Sequence, residues 1–385
     1  MNLFDVYPLM DLEIAKGEGS WVTDTNGTKY LDLYGGHAVI SIGHSHPHYL
    51  QSIKDQIDQI GFYSNSVHNS TQKKLAHKLG EMSGYKDYEL FLCNSGAEAV
   101  ENALKLASFK TNRGGFVAFK GAFHGRTAAA LTITDNAKIR PVGISTSHIH
   151  MLDLGDLDGV EIALKQGNIA GVVIEGIQGV SGINVPDDHF LRGIASLCEQ
   201  YGTMLILDEI QSGYGRTGDF FAHQNADIKP DLITVAKGMG NGFPIGGVLV
   251  RPDIQASYGL LGTTFGGNHL ASAAGLAVLD VIDKEDLVNR TKHLGEWLIQ
   301  QLNSLDFGFN ITGRGLMLGL HFNFHVKKLR AALVDQGVLT GSASNPNVLR
   351  LLPPLTISKE ELRQFIQKLI TVLESKNNEE FYISR

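Results

Sequence analysis

The chain has 385 residues, of which 43% are hydrophobic and 19% are charged, as is typical of a globular protein with two or three domains. The net charge of −7 argues against nucleic acid as the main partner, because phosphate backbones select basic surfaces. No apolar run is long enough to span a membrane, and the first residues lack the features of a secretory signal. The two cysteines lack CxxC spacing, so we expect a reducing cytoplasm rather than a disulfide or zinc framework.

Apolar runs of strand length alternate with segments of helical period along the first two thirds of the chain. Alternation of this kind predicts a mostly parallel sheet with helices on both faces. Such sheets bind ligands at the carboxyl ends of their strands. The predicted helices are 49–59, 95–110 and 188–201, and the predicted strands are 89–93, 115–119, 170–174, 204–207, 232–236 and 247–250.

The last third of the chain predicts a second, smaller α/β unit. A long helix rich in small residues is predicted at 266–282, and short strands at 316–323 and 348–352 follow it. Residues 376–385 are polar and are predicted to fray. The predicted parts are 1–48, a segment that packs with the small domain, 49–255, the large domain, and 256–385, the small domain with its connecting helix.

Lys237 follows the apolar run 231–236 and precedes a glycine-rich turn. An ammonium group is costly to bury. Burial lowers the pKa of a lysine, so that it can form a Schiff base. The simpler alternative is a lysine that reaches solvent past the glycines, and the position alone does not decide between the two.

Asp208 ends the predicted strand 204–207. A carboxylate at the end of a buried strand needs a cationic or donor partner. A protonated heterocyclic nitrogen of a ligand would serve. A structural salt bridge with Arg216 or another base is the alternative, and both stay open at this stage.

The segment 94–98 predicts the start of a helix, because Ser95 and Glu98 have the spacing of a capping box. The backbone N–H groups of Gly96 and Ala97 would then face outward at the positive end of the helix dipole. Such an arrangement is ready to bind a phosphate. A capping box that only starts a helix is the alternative.

Two further segments contain residues suited to a flat, acidic ligand. Phe123 in a glycine-rich loop can stack on a ring, and Arg126 beside it can bind a carboxylate through two parallel hydrogen bonds. The alternative is a core aromatic next to a surface arginine. Arg350 has apolar neighbours on both sides in a predicted strand, and an arginine so placed is usually paired with an acid or a ligand.

His44, His46 and His48 alternate with other residues around a proline. Alternate spacing does not place three imidazoles on one face, and no cysteine or glutamate completes a ligand set. We therefore predict a turn that leads into the helix 49–59, and no metal site.

Together these motifs resemble the class-III, fold-type-I aminotransferases that use pyridoxal 5′-phosphate, most closely the acetylornithine and succinylornithine aminotransferases. The resemblance spans about residues 7–370. Each motif is weak alone, but their joint order is specific. The motifs are GTKYLD (27–32), NSGAE (94–98), FHGRT (123–127), LDEIQ (207–211), GYGRTG (213–218), AKG (236–238), GTTFGGN (262–268), GRGLMLG (313–319) and LRLLP (349–353).

The resemblance implies an α/β, fold-type-I structure with a mostly parallel, seven-stranded type of sheet in the large domain and a smaller C-terminal domain. It implies that Lys237 forms the Schiff base and then shuttles a proton between substrate and cofactor. Asp208 would keep the pyridinium nitrogen protonated, so that the ring acts as an electron sink. Gln211 would bond the ring hydroxyl, and Phe123 and Ile210 would cover the two ring faces.

The phosphate would be held by residues 95–97. The resemblance also implies that Thr264 reaches the phosphate of the neighbouring subunit's cofactor, so that activity needs a homodimer. His124 and Glu175 belong to the same implied cofactor site.

Arg126 is expected to hold the carboxylate of an acylated ornithine, and Arg350 that of glutamate or 2-oxoglutarate. The implied reaction transfers the terminal amine of an N2-acylornithine to 2-oxoglutarate in arginine biosynthesis. An ornithine or 4-aminobutyrate aminotransferase is the alternative within the family. A doubly wound nucleotide-binding module would need a Gly-x-Gly-x-x-Gly turn after the strand 89–93, and the sequence has none there.

The chain departs from the family at two positions. Glu175 is kept, but Val180 replaces a second glutamate that in relatives neutralises the arginine matching Arg350 while an ω-amine is bound. Arg350 should therefore stay free throughout the cycle, which suggests a changed preference for the amino donor. His269 replaces a usual proline, where it could contact the phosphate region or cap the helix, and capping is favoured.

Overall fold

The computed structural model describes residues 1–375, so the predicted fraying of 376–385 lies outside the described residues. The described chain forms two seven-stranded sheets. The strands are β1 (Ile14–Glu18), β2 (Trp21–Asp24), β3 (Lys29–Leu33), β4 (Glu89–Cys93), β5 (Gly115–Phe119), β6 (Ile149–Leu152), β7 (Ile169–Glu175), β8 (Met204–Asp208), β9 (Leu232–Val235), β10 (Gly246–Val250), β11 (Asn310–Arg314), β12 (Met317–His321), β13 (Val338–Ser342) and β14 (Val348–Leu351).

Helices cover both sheets. Short 3₁₀ turns occur at Ala137–Ile139, Ala222–Ala226 and Lys237–Met239. The α-helices are Pro47–Gln59, Ser70–Ser83, Gly96–Thr111, Ala128–Thr132, Leu157–Lys165, Asp188–Tyr201, His269–Lys284, Leu287–Asn303, Lys327–Asp335 and Lys359–Glu374. None of the helices within residues 1–375 is both long and apolar enough to cross a membrane.

The first sheet has the order β4-β10-β9-β8-β7-β5-β6. Its strands run parallel except β10, which is antiparallel to both of its neighbours. The predicted α/β fold with a mostly parallel seven-stranded sheet is therefore confirmed. The direction of β10 and the existence of β6 were not predicted, because neither changes the alternation of apolar runs along the chain.

The centre of this sheet is buried on both faces. Every residue of β7 and β8 is buried, as expected of parallel strands between two helical layers. Successive side chains point to opposite faces. Val173 packs with residues of the helix Gly96–Thr111, whereas Val172 packs with residues of the helix Asp188–Tyr201. Burial of this kind fixes the register of the strands and therefore the positions of the residues at their ends.

The second sheet has the order β1-β2-β3-β13-β14-β12-β11 and joins strands from both ends of the chain. β3 pairs with β13 in parallel, with Leu31 opposite Val338. The N-terminal strands thus share a sheet with the C-terminal ones. The division of the chain at residues 49 and 255 stays a prediction.

The helix predicted from residue 266 begins at His269. Gly267 has a φ of +68°, which a right-handed helix does not accept. The side chain of Asn268 accepts a hydrogen bond from Ala271 N at 2.9 Å and caps the helix. The interpretation that His269 is the cap is therefore wrong, since it is the first residue inside the helix.

Candidate active site

The carboxyl ends of β7, β8 and β9 meet at one edge of the first sheet. Glu175 pairs in register with Asp208, and Asp208 pairs with Thr234. Lys237 lies two residues beyond the end of β9. These three ends border one cavity. Every residue predicted for the cofactor site except Thr264 lines this cavity, together with Arg126 and Val180.

The loop that carries Lys237 is fixed by the N-terminal part of the chain. Lys237 has a φ of +45°, a left-handed conformation that is strained for a residue with a Cβ. Ser41 Oγ donates to the carbonyl oxygen of Gly238 at 2.7 Å. The side-chain oxygen of Asn241 accepts from Ser41 N at 2.8 Å and from Ile42 N at 3.0 Å. These contacts hold the lysine in a conformation that it would not adopt alone.

The Lys237 side chain lies in a poorly hydrated region with carboxylates on one side and an arginine on the other. Burial lowers the pKa of Lys237 to about 8, although Asp208 and Glu175 oppose the shift, and Arg350 adds to it. No acidic side chain among residues 1–375 forms an ion pair with the ammonium group. About a tenth of Lys237 is therefore a neutral amine at neutral pH, far more than for an ordinary lysine, and this is the form that reacts with a carbonyl group.

Asp208 is paired with His124 rather than with Arg216. His124 Nδ1 lies 2.7 Å from Asp208 Oδ2, and both side chains are buried. Arg216 instead donates to the carbonyl oxygens of Leu316 and Pro353. The alternative of a salt bridge is therefore wrong for Arg216, but Asp208 does pair with another base, His124. Burial opposes a charge on His124, but the Asp208 carboxylate outweighs burial and raises the pKa of His124.

The pair leaves polar atoms that a ligand could use. Within the described chain, the buried Nε2 of His124 has no hydrogen-bond partner, and such orphaned atoms are costly. Asp208 Oδ1 accepts from Ile210 N at 3.1 Å. A flat heterocycle with a protonated nitrogen against the Asp208 carboxylate is compatible with this arrangement.

Glu175 fixes the loop that contains Phe123. Its carboxylate accepts from Phe123 N at 3.0 Å and from Gly179 N at 3.1 Å. Burial raises the pKa of Glu175 to about 7; His124 opposes this shift, whereas Asp208 adds to it. Phe123 and Ile210 both line the cavity. Their predicted contacts with the two faces of the ring require this placement.

The start of the helix Gly96–Thr111 forms one end of the cavity. Ser95 Oγ accepts from Glu98 N at 3.2 Å, as in a capping box. The Glu98 carboxylate accepts from Asn94 N at 2.6 Å, one residue before the position that the box predicts. A Cβ on Gly96 would lie 2.8 Å from Ile210 Cδ1, so a side chain at this position would displace Ile210. The N–H groups of the first helical turn have no intrahelical partners and suit a phosphate.

The two arginines occupy different environments. Arg126 is exposed, and its guanidinium carbon lies 5.1 Å from the centre of the Phe123 ring, a cation–π contact. Arg350 is only 3% exposed. It donates to the carbonyl oxygen of Ser342 at 2.5 Å and that of Gly179 at 2.9 Å.

Arg350 makes no ion pair with a carboxylate among residues 1–375. Burial lowers the pKa of Arg350 to about 10, so it remains a cation near neutral pH. A buried cation without an acid is costly unless a ligand supplies the anion. Val180, which lines the cavity, brings no charge to this region.

Gln211 lies between Arg350 and the N-terminal segment. Its Nε2 donates to the His37 carbonyl oxygen at 3.0 Å, and its Oε1 accepts from Arg350 Nη1 at 3.4 Å. Its role at a ring hydroxyl stays a prediction. Thr264 is exposed and does not line this chain's cavity, so its role at a neighbouring subunit stays a prediction as well.

The three histidines of the early turn each contact a separate acid. The Nε2 atoms of His44, His46 and His48 lie 2.8, 2.9 and 3.1 Å from carboxylates of Asp32, Glu285 and Asp280. No cluster suited to a metal ion occurs among residues 1–375. These contacts fix the turn against neighbouring segments.

Sequence reasoning missed two parts of the site. It did not foresee the His124–Asp208 pair, because the two residues are 84 positions apart and their pairing leaves no local pattern. It also missed the backbone turn at Gly35–Ala38, which lies beside the cavity. The adjacent glycines, Gly35 and Gly36, were the available signal for that turn.

Comparison with known proteins identifies the family of the chain. The sequence profile of the family "Aminotransferase class-III" matches residues 5–373. The chain is 40% identical to the acetylornithine aminotransferase of Bacillus subtilis (strain 168) over 374 residues, which cover 96% of each chain. It is 38% identical to that of Archaeoglobus fulgidus over 372 residues, which cover 96% of this chain and 97% of that protein.

A solved structure leads to the same family. The ornithine aminotransferase of Toxoplasma gondii, whose active site holds partly occupied pyridoxal phosphate, superposes with a TM-score of 0.91 at 29% identity. The match covers 98% of this chain and 93% of that one. The chain therefore belongs to the class-III aminotransferases, whose cofactor is pyridoxal phosphate.

Proposed function

We propose that this aminotransferase acts on the terminal amine of an N2-acylornithine, either acetyl- or succinylornithine. The acceptor is 2-oxoglutarate, and the products are the acylated semialdehyde and glutamate, in arginine biosynthesis. The observation that carries the proposal is the placement of two arginines around one reactive lysine. Arg126 is exposed at the cavity and Arg350 is buried without an acid, so each can receive a different carboxylate.

The amino donor has its carboxylate and its reacting amine at opposite ends. With the carboxylate on Arg126, the terminal amine extends toward Lys237. Glutamate has a second carboxylate next to its reacting amine, and Arg350 is available to bind it. The names of the two acetylornithine aminotransferases support this assignment of substrates.

Bound pyridoxal phosphate supplies an electron sink for the carbon that loses a proton. The residues of the chain do the remaining work. The neutral Lys237 amine is suited to take that proton and return it one atom away. Asp208, fixed by His124, favours a positive charge on a ring nitrogen placed against it. The helix start at residues 95–97 holds the phosphate, and Phe123 with Ile210 excludes water from the ring faces.

The alternative within the family is an aminotransferase for unacylated ornithine. The name of the Toxoplasma gondii neighbour favours keeping it as a second candidate. The two functions differ in the group on the α-nitrogen, which is a neutral amide in one substrate and an ammonium in the other. A direct comparison of donors separates them.

A panel of half-reactions tests the proposed function. Acetylornithine, succinylornithine, ornithine, 4-aminobutyrate and glutamate are each mixed with the holoenzyme, and the absorbance band of the bound cofactor is followed. At least one acylornithine should react with a kcat/KM at least about tenfold above that of ornithine, equivalent to ~1.4 kcal/mol. Ornithine or 4-aminobutyrate as the fastest ω-amine donor would contradict the proposal. The variant Arg126→Lys keeps the positive charge but loses the planar guanidinium that can bind a carboxylate through two hydrogen bonds. It should lower kcat/KM for the acylornithine more than for glutamate.

We further propose that the protein is a homodimer in which Thr264 completes the neighbouring site. Phe62 and Phe265 are 45% and 60% exposed, and their ring centres are 5.4 Å apart. An exposed apolar patch of this kind is typical of an interface between subunits. Thr264, next to Phe265, is exposed as well. The segment around Phe62 has further exposed apolar side chains, namely Leu50, Ile57, Ile60, Tyr63 and Val67.

Mixed dimers test the role of Thr264. Lys237→Ala and Thr264→Ala are each prepared, measured alone, and then unfolded and refolded together. If Thr264 acts across the interface, a heterodimer contains one site with both native residues, and mixing should restore about a quarter of wild-type activity. If mixing gives only the average of the two variants, then Thr264 acts within its own chain or not at all. Lys237→Ala refolded alone is the matched control.

We propose a cytoplasmic location. Cys93 and Cys198 are both buried and unbridged, as is expected where thiols stay reduced. Burial raises the pKa of each thiol, which makes both poor nucleophiles and leaves the chemistry to Lys237.

Because Val180 is uncharged, a carboxylate introduced at this position should alter the reaction with glutamate. In Val180→Glu the new carboxylate should pair with Arg350 and compete with the substrate. We expect kcat/KM for glutamate to fall about tenfold, since a hydrogen bond to a charged group contributes roughly 1.5–3 kcal/mol. The acylornithine half-reaction should change little. Val180→Gln has nearly the same shape without the charge and is the control, so equal effects of the two substitutions would contradict the account.

A further inference from the structure

Four consecutive residues after β3 form a left-handed turn. The φ angles of Gly35, Gly36, His37 and Ala38 are +57°, +55°, +67° and +63°. A left-handed turn is costly for residues with a Cβ, and strain of this kind persists only where the surrounding structure enforces it. Two glycines reduce the cost, but His37 and Ala38 bear it in full.

The turn is enforced by contacts from several parts of the fold. Asp32 Oδ1 accepts from Tyr34 N at 3.0 Å and from Gly35 N at 2.8 Å. Asp32 Oδ2 lies 2.8 Å from His44 Nε2. A Cβ on Gly35 would lie 2.7 Å from the carbonyl oxygen of Leu352, so the second sheet packs directly against the turn. The conformation of His37 is therefore imposed on it.

The turn brings the backbone of His37 next to the cavity. Its carbonyl oxygen accepts from Gln211 Nε2 at 3.0 Å, and Val39, two residues later, lines the cavity. The imidazole is partly exposed, and its Nε2 lies 2.5 Å from Tyr34 Oη. The phenol thus engages one ring nitrogen and restrains the ring, whereas Nδ1 makes no hydrogen bond within residues 1–375.

His37 is uncharged in a region of positive charge. Partial burial and the charges of Arg350, Lys237 and Arg126 lower the pKa of His37 to about 4. A neutral imidazole offers a hydrogen bond without adding a further cation. The ammonium of free ornithine would add a positive charge among these groups, whereas the amide of an acylated ornithine is neutral and has both a donor and an acceptor.

We propose that His37, fixed by Tyr34, hydrogen-bonds the acyl amide of the donor and thereby selects N2-acylornithine over free ornithine. This inference rests on the proposed function. It assigns to His37 a role in specificity rather than in proton transfer. The three cations disfavour the free α-ammonium, and His37 supplies the favourable contact to the amide.

The variant His37→Gly tests this role without adding strain, because glycine accepts a φ of +67°. The kcat/KM of the half-reaction with N2-acetylornithine should fall about tenfold, the effect of one lost hydrogen bond of ~1.4 kcal/mol. The half-reactions with ornithine and glutamate should each change by less than about twofold, within the scatter of a distant substitution. Tyr34→Phe should lower the acyl preference in the same direction but less. His77→Ala, at an exposed helix position, is the matched histidine control.

Binding of an unreactive ligand gives a second readout. N2-acetylnorvaline has the acyl amide and the α-carboxylate but no terminal amine. Its Kd for the holoenzyme, measured by calorimetry, should rise about tenfold in His37→Gly and stay constant in His77→Ala. Equal losses for acetylornithine, ornithine and glutamate, or an unchanged preference, would contradict the role of His37 alone. If the wild type turns over no acylornithine, the proposed function fails and this inference fails with it.

Discussion

The rest of the site depends on the poor hydration of the Lys237 amine. An ammonium group at the end of a buried strand is unstable unless acids balance it, and here the acids are Asp208 and Glu175. Neither acid pairs with the lysine directly, because Asp208 is engaged by His124 and Glu175 by backbone N–H groups. The two acids therefore stabilise the cationic form of Lys237 only in part. Its pKa falls to about 8, so that more of the reactive neutral amine is present near neutral pH than for an ordinary lysine.

The same low hydration explains the other charged groups of the cavity. Within residues 1–375, Arg350 has carbonyl oxygens as partners but no acid, so a substrate carboxylate would relieve an existing electrostatic cost if it bound there. Arg126 is exposed and stays solvated until a substrate arrives. The contrast between a buried and an exposed arginine gives the cavity two cationic positions of different exposure, each of which could receive a carboxylate under the proposed function.

Much of the site follows from local sequence patterns. Apolar runs that end in Glu175, Asp208 and Lys237 predict buried strands, and the carboxyl ends of neighbouring parallel strands must lie together. The serine–glutamate spacing predicts the helix start at residue 95. The joint order of these motifs carried the family assignment, which the comparisons confirm over nearly the whole chain. The antiparallel β10 could not be predicted, since its apolar pattern is the same in either direction.

What the sequence did not reveal depends on pairing across long separations. His124 reaches Asp208 only because β5 and β8 flank β7 in one sheet. The left-handed conformation of His37 depends on Asp32 and on contacts with the second sheet, and no local preference predicts it. Asn268 rather than His269 caps its helix, because two glycines delay the helical conformation by a few residues. For His124 and His37 the deciding contacts come from tertiary structure, whereas the cap at Asn268 is a local contact.

The most direct test of this account is the pH dependence of the reaction between the cofactor-free protein and pyridoxal phosphate. The product is reduced with borohydride and located by mass spectrometry. Only the neutral amine reacts, so the rate should rise with pH and reach half its maximum near the pKa of Lys237, about 8, with the label on Lys237. A midpoint near the ordinary lysine value of 10.5, or a label on another lysine, would contradict the claim that burial prepares Lys237 for its reaction.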